Sequence, residues 1–246
     1  MNFATSSYCA SHFRAKRLAP PPPFPWDEPY RLTPGERDAI AHSIAQFQLG
    51  ESSEGHHLIA RAQQWAANSG DHALVEALRE FITEEQRHSR WLGVVMGQNG
   101  IPKLKSHWVD TAFRCLRKLL NLEVAVTVLV SAEVIAVPYY TALRDATRSP
   151  LLKAICTRIL EDEQEHLAFQ GRTLGLLRGN AIGLRWTAHR LALEAAFLLV
   201  WIDHQPVFRR AGISWNIFRS QCLEAFDTLQ QAAAREIAQV PVLSSF

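Results

Sequence analysis

Two segments, Glu85-Gln86-Arg87-His88 and Glu163-Gln164-Glu165-His166, put an acid and a histidine where a helix should present core residues. Positions three and four apart share one helix face. In the first segment the apolar stripe runs Leu74, Leu78, Phe81, then Glu85 and His88, then Leu92. In the second it runs Leu152, Cys156, Ile159, then Glu163, His166 and Gln170. A carboxylate in a core is costly unless something cationic meets it. The pattern is tenable only if other ligating side chains point to the same spot.

Two further stripes supply them. Ile40, Ile44 and Phe47 lead to Glu51, and Leu122, Val126 and Leu129 lead to Glu133. Of the acids crowded into residues 161–165, only Glu163 lies in line with its stripe. Glu54-Gly55-His56-His57 also spells Glu-x-x-His. The apolar positions of that helix centre roughly 15° from Glu51, roughly 45° from Glu54 and over about 100° from His57. Glu51 is therefore the inward acid, Glu54 a rim candidate beside the site, and His57 outward.

The rest of the chain is consistent with one all-α fold. Strand alternation is absent, and 246 residues with 48% hydrophobic and 20% charged content suffice for a substantial core. Thr33-Pro34-Gly35-Glu36 is a capping box with proline at the first helical position. It opens a helix expected over Pro34–Ala67, and Asn68–Asp71 turns the chain into a second helix ending near Met96. A short amphipathic segment at Asp110–Lys118 leads into a third, apolar helix reaching Thr147 past Pro138. Ser149-Pro150 opens a fourth, ending at Gly175–Gly179, and two more are expected over 182–203 and 214–237. Residues 1–32, which include Pro20–Pro23, read as an extended N-terminal arm; 33–178 as a four-helix bundle carrying the site; 179–246 as a helical extension covering it.

In an antiparallel hairpin, residues at one height are equidistant from the turn. Glu51 and Glu85 have their midpoint at Asn68; Glu133 and Glu163 have theirs at Arg148. Both turns follow from capping chemistry alone. Glu51, Glu85, His88, Glu133, Glu163 and His166 can thus form one layer. One Glu from each of two helices, with Glu-x-x-His from each of the others, is the ligand set of dinuclear carboxylate sites. Two divalent metals neutralise four carboxylates, and neutral imidazoles add nitrogen ligands without charge. Mixed oxygen and nitrogen ligation suits iron, with manganese as the alternative.

Over residues 35–176 the chain resembles the ferritin-like di-iron carboxylate superfamily, on Glu51, Glu84-Glu85-Gln86-Arg87-His88, Glu133 and Asp162-Glu163-Gln164-Glu165-His166. The resemblance implies a bundle with a crossover between its second and third helices, and two iron ions. Glu51, Glu85 and His88 would hold one and Glu133, Glu163 and His166 the other, with Glu85 and Glu163 as candidate bridges. It also implies that Glu84 and Asp162, each just before a Glu-x-x-His, hydrogen-bond the histidine of the opposite pair. Tyr140, two helical turns past Glu133, is a candidate redox residue; core packing is the plainer role.

The activity this implies is that of an oxidoreductase using dioxygen or peroxide and an external electron donor to oxidise an organic substrate. The alternatives are ferroxidase or iron handling, peroxide detoxification, or a non-catalytic metal-bound scaffold. The four cysteines lack close pairs, which excludes a built-in rubredoxin-type donor and suits reduced thiols. A net charge of +2 gives no nucleic-acid footprint. The N-terminus lacks an apolar signal core, and the apolar runs Leu119–Tyr140 and Leu191–Ile202 contain Glu123, Glu133 and Glu194. Buried helices, no membrane partner and a cytoplasmic location are expected; a homodimer is allowed.

Overall fold

The computed structural model describes residues 4–106, 121–179 and 182–239. Every regular element among them is a helix, and none is a strand. The helices are α1 (Ala4–Leu18), α2 (Pro34–Glu51), α3 (His56–Ser69), α4 (His72–Gln98), α5 (Leu122–Asp145), α6 (Pro150–Arg178), α7 (Ile182–Asp203), α8 (Gln205–Arg210) and α9 (Trp215–Gln239). The Asp110–Lys118 segment and the crossover expected there lie outside the described residues.

Local chemistry sets the helix starts. Thr33 Oγ1 accepts from Glu36 N, and the Glu36 carboxylate accepts from Thr33 N at 2.8 Å, closing the capping box of α2. Asp71, Asn121 and Ser149 cap α4, α5 and α6 in the same way, each accepting from a backbone N–H three residues on. The core is continuous. α5 packs on α6, α9 packs on both of them, and α2 and α1 pack on α4. α5 is long and apolar enough to cross a membrane, with a mean hydropathy of 1.7, but just over half of that window, 56%, is buried within the protein. Its Pro138 sits inside the helix without ending it.

Glu36 does more than cap. Its carboxylate, wholly buried, also accepts from Tyr30 Oη at 2.7 Å and from Arg148 N at 2.7 Å. It thereby ties the start of α2 to the Pro-rich segment and to the α5–α6 turn. Burial alone would push its pKa up; the hydrogen bonds from Tyr30, Thr33 and Arg148 outweigh that and hold it at about 2, against an ordinary 4.5. A depressed carboxyl contributes stability that is full above its unfolded pKa and is lost as pH falls from about 4.5 through about 2. Glu36→Gln should therefore cost roughly 2 kcal/mol at neutral pH. Urea unfolding curves of the two proteins should converge across that acid window, and a gap independent of pH would contradict the role of the charge.

Three expectations need correction. The arm is not extended throughout: Ala4–Leu18 is helical and docks on α4, burying Cys9, Ala10 and Phe13. Its stripe, Ser6, Cys9, Ala10, Phe13, is short and built from small residues, so its amphipathicity is weak. Only the proline-containing part beyond Leu18 is irregular. Second, the helix expected over Pro34–Ala67 breaks between Glu51 and His56. Gly55 adopts φ 64°, which favours glycine, and a Cβ there would also displace the Ile82 side chain, whose Cδ1 lies 2.2 Å from its position. Third, α7 is not buried all round: Trp186, Leu193 and Phe197 pack inward, but Leu184 and Leu191 are 84% and 68% exposed. The "HQPVFRR" connection holds the extra short helix α8.

Candidate metal centre

Four long helices each bring polar side chains into the core. α2 ends on Glu51, α4 carries Glu84, Glu85 and His88, α5 carries Glu133, and α6 carries Asp162, Glu163 and His166. All eight are buried except Glu85, which is nearly so. Their ligating atoms form two overlapping groups. Glu51, Glu85 and His88 offer atoms within 4.8 Å of one another, as do Glu85, Glu133, Glu163 and His166. Glu85 belongs to both. Its Oε1 lies 3.6 Å from His88 Nδ1 and 3.2 Å from His166 Nδ1. Either group can hold a metal ion.

The two imidazoles are held from behind, crosswise. His88 Nε2 donates to Asp162 Oδ2 at 3.0 Å, and His166 Nε2 donates to Glu84 Oε2 at 3.1 Å. A carboxylate held ionised can only accept, so each Nε2 carries the proton and each Nδ1 faces the cluster. These outer acids are themselves met by cations. Arg158 Nη2 and Nε donate to Asp162 at 2.6 and 3.2 Å, and Arg87 Nη2 donates to Glu84 at 2.5 Å. Lys16, from α1, reaches both acids, at 2.6 Å to Asp162 and 3.2 Å to Glu84, and also Glu165 at 2.7 Å.

The inner layer is electrostatically unsettled. Burial pushes Glu85 and Glu133 well above the usual carboxylate range, and neighbouring carboxylates add to it. Burial also raises Glu163, to about 8. Burial opposes a charge on His88, but the hydrogen bond to Asp162 and the Glu51 carboxylate, 3.7 Å from Nδ1, overcome it and lift the imidazole to about 10. Asp162 and Glu84 move the opposite way; burial would raise both, but their histidines and Lys16 hold them low, Glu84 at about 2. The layer thus takes up positive charge from protons wherever no other cation supplies it.

Hydrogen-bond accounting tests whether a metal fits. Buried polar atoms normally have partners. Here Glu51 Oε2, Glu85 Oε1, His88 Nδ1, both carboxylate oxygens of Glu163 and His166 Nδ1 have none within hydrogen-bond geometry. These six converge on the two groups, whereas other unpartnered buried atoms, such as Tyr139 Oη and the Gln170 amide, belong to neither. The donor set of carboxylate oxygens with one imidazole nitrogen per group is that of hard-to-borderline divalent metals such as iron, manganese or zinc.

The remaining candidates separate clearly. Tyr140 Oη donates to Glu51 Oε1 at 2.5 Å, so the tyrosine is both fully buried and joined to the centre. Glu54 is a correction: it lies in the break after α2, its side chain is 72% exposed, and it stands 3.4 Å from His56 rather than beside the cluster. His57 is exposed as expected. His204, in the turn between α7 and α8, is buried against α2, with Ser43 Oγ and His204 Nδ1 2.9 Å apart. Lys16, Arg87 and Arg158 were not expected at the centre. Arg87 and Arg158 were legible as i+3 and i−4 neighbours of Glu84 and Asp162, whereas Lys16 had no local signal. No protein-family model matches the chain, and neither does a curated protein or a solved structure; the centre is defined by its own geometry.

Proposed function

We propose that the chain is a ferritin-like dinuclear carboxylate protein, and that it is an oxidoreductase that activates dioxygen on two iron ions, with manganese as the alternative, to oxidise an organic substrate. The observation that carries the reading is the shared Glu85, whose one oxygen stands between the Nδ1 atoms of His88 and His166. A carboxylate common to two ligand groups is what a pair of metals, rather than one, requires. Glu51 and His88 would complete one position, and Glu133, Glu163 and His166 the other. Ferrous ions held by these residues would supply electrons for the reduction of dioxygen.

The chain's own residues provide the setting. Asp162 and Glu84 fix the imidazole tautomers and aim Nδ1 inward. Tyr140 holds a proton against Glu51 Oε1, and so favours the ionised form of that carboxylate. Apolar neighbours, including Phe81 and Phe13 against the His166 ring, exclude water from that flank. An external reductant is needed, because the described cysteines, Cys9, Cys156 and Cys222, are buried and unpaired. A cytoplasmic location fits free thiols of this kind.

Oxygen uptake by the iron-loaded protein separates the activities. Uptake that rises when an organic substrate is added supports an oxygenase. Iron-driven uptake accompanied by loading well beyond two ions per chain would replace that reading with ferroxidase or storage. Tight metal binding with no uptake under any condition would leave a scaffold.

A further inference from the structure

Helix α7 is apolar on two sides, and only one is covered. Trp186, His189, Leu193, Phe197 and Val200 form a buried stripe against the rest of the protein. The other side presents Leu184, Ala188, Leu191, Ala195, Leu198 and Ile202, all exposed. Leu198, Leu199 and Ile202 are 50%, 52% and 63% exposed, beside the two leucines given above. A helix that is hydrophobic all round is ordinarily buried all round. The five large side chains leave on the order of 500 Å² of contiguous apolar surface, at the upper end of what a monomer shows and most of the ~800 Å² per partner of a stable interface.

The spacing identifies the occupant. From Leu184 the exposed positions advance by four, three, four, three and four residues, the alternation of a coiled-coil seam. Leucine fills every d position, and the a positions are Ala188, Ala195 and Ile202. Reversed about a two-fold axis near Leu193, Leu191 meets the partner's Ala195, Leu198 meets the partner's Ala188, and Leu184 meets the partner's Ile202. Two of the three pairs set a large side chain against a small one, which lets the helices approach closely. That match is a property of the stripe against itself, as an isologous interface requires.

We propose that α7 is the contact of a two-fold homodimer, packed against α7 of a second copy in an antiparallel pair. A membrane surface is the competing occupant for an apolar helix face. It is disfavoured because such helices carry a strongly basic polar face and aromatic anchors. Here Arg185 is engaged by Glu123 at 2.7 Å, Glu194 by Arg219 at 2.5 Å, and Trp186 is turned inward.

The test is the mass of the full-length, metal-loaded protein by sedimentation, for wild type, Leu191→Lys and Leu198→Lys. A wild-type species of twice 27.7 kDa is expected, with each substitution weakening the dimer about 100-fold and leaving the helical circular-dichroism signal unchanged. Should either variant misfold, amide exchange in wild-type α7 gives a second reading, and its exposed stripe should lose protection on dilution. A wild-type monomer at tens of micromolar protein, or dimers that ignore both substitutions, would overturn the proposal. Flotation of monomers with anionic phospholipid vesicles would replace it with a membrane contact.

Discussion

Protein purified without added metal is expected to contain about two iron or manganese ions per chain, and Glu85→Ala to retain fewer than about half of them. Glu85 is the sharpest choice because it belongs to both ligand groups. Its removal deprives each position of a ligand, whereas Glu133→Ala touches only one group. The sum of charges points the same way. Burial and mutual repulsion already push Glu85, Glu133 and Glu163 up. Deleting one carboxylate relieves that repulsion, so the metal-free variant should be no less stable than metal-free wild type, while its metal content falls. Elemental analysis beside thermal unfolding of both proteins, with and without chelator, separates the two effects. Well-folded wild type that holds no metal even after anaerobic loading with ferrous iron would rule out the centre.

How much of this was legible in the sequence depended on whether a signal was local. The capping box at Thr33–Glu36 and the caps at Asp71 and Ser149 are complete within four residues, and each opens a helix where expected. The inward acids on α4, α5 and α6 follow from the 3.6-residue period, which continues unbroken through those helices. The helical angle that turns Glu51 inward averages over a helix running on to Ala67. The break at Gly55 shortens that helix, yet Glu51 is buried, because the stripe of α2 alone, Ile40 and Ile44, already points there. Glu54 lay beyond the last residue for which the angle holds, and so its placement failed. Lys16 was out of reach altogether. Its partners are 68, 146 and 149 residues away, and no period within α1 distinguishes a lysine that snorkels into solvent from one that turns inward.

That lysine carries the last large expected effect. Lys16 Nζ is the one group that bonds to the supporting acids of both histidines, Asp162 and Glu84, among the described residues. Burial would lower its pKa, but hydrogen bonds to Asp162 and Glu165 more than compensate, so it stays charged. Lys16→Met keeps the length of the side chain and its packing along α4 but removes the cation. Asp162 then relies on Arg158 and Glu84 on Arg87, and each carboxylate is freer to rotate away from its imidazole. Loss of such support typically costs a metal site 10–100-fold in affinity, and a drop toward the lower end of that range is expected here, since both arginines remain. The protein should also lose roughly 2 kcal/mol of stability, because two acids kept from water lose part of their compensation. Competition with a chelator measures the first quantity and denaturant unfolding of the metal-free protein the second. Lys16→Arg should recover most of the affinity. If Lys16→Met destabilised α1 while metal affinity stayed at the wild-type value, the N-terminal helix would be a structural appendage and not a support for the centre.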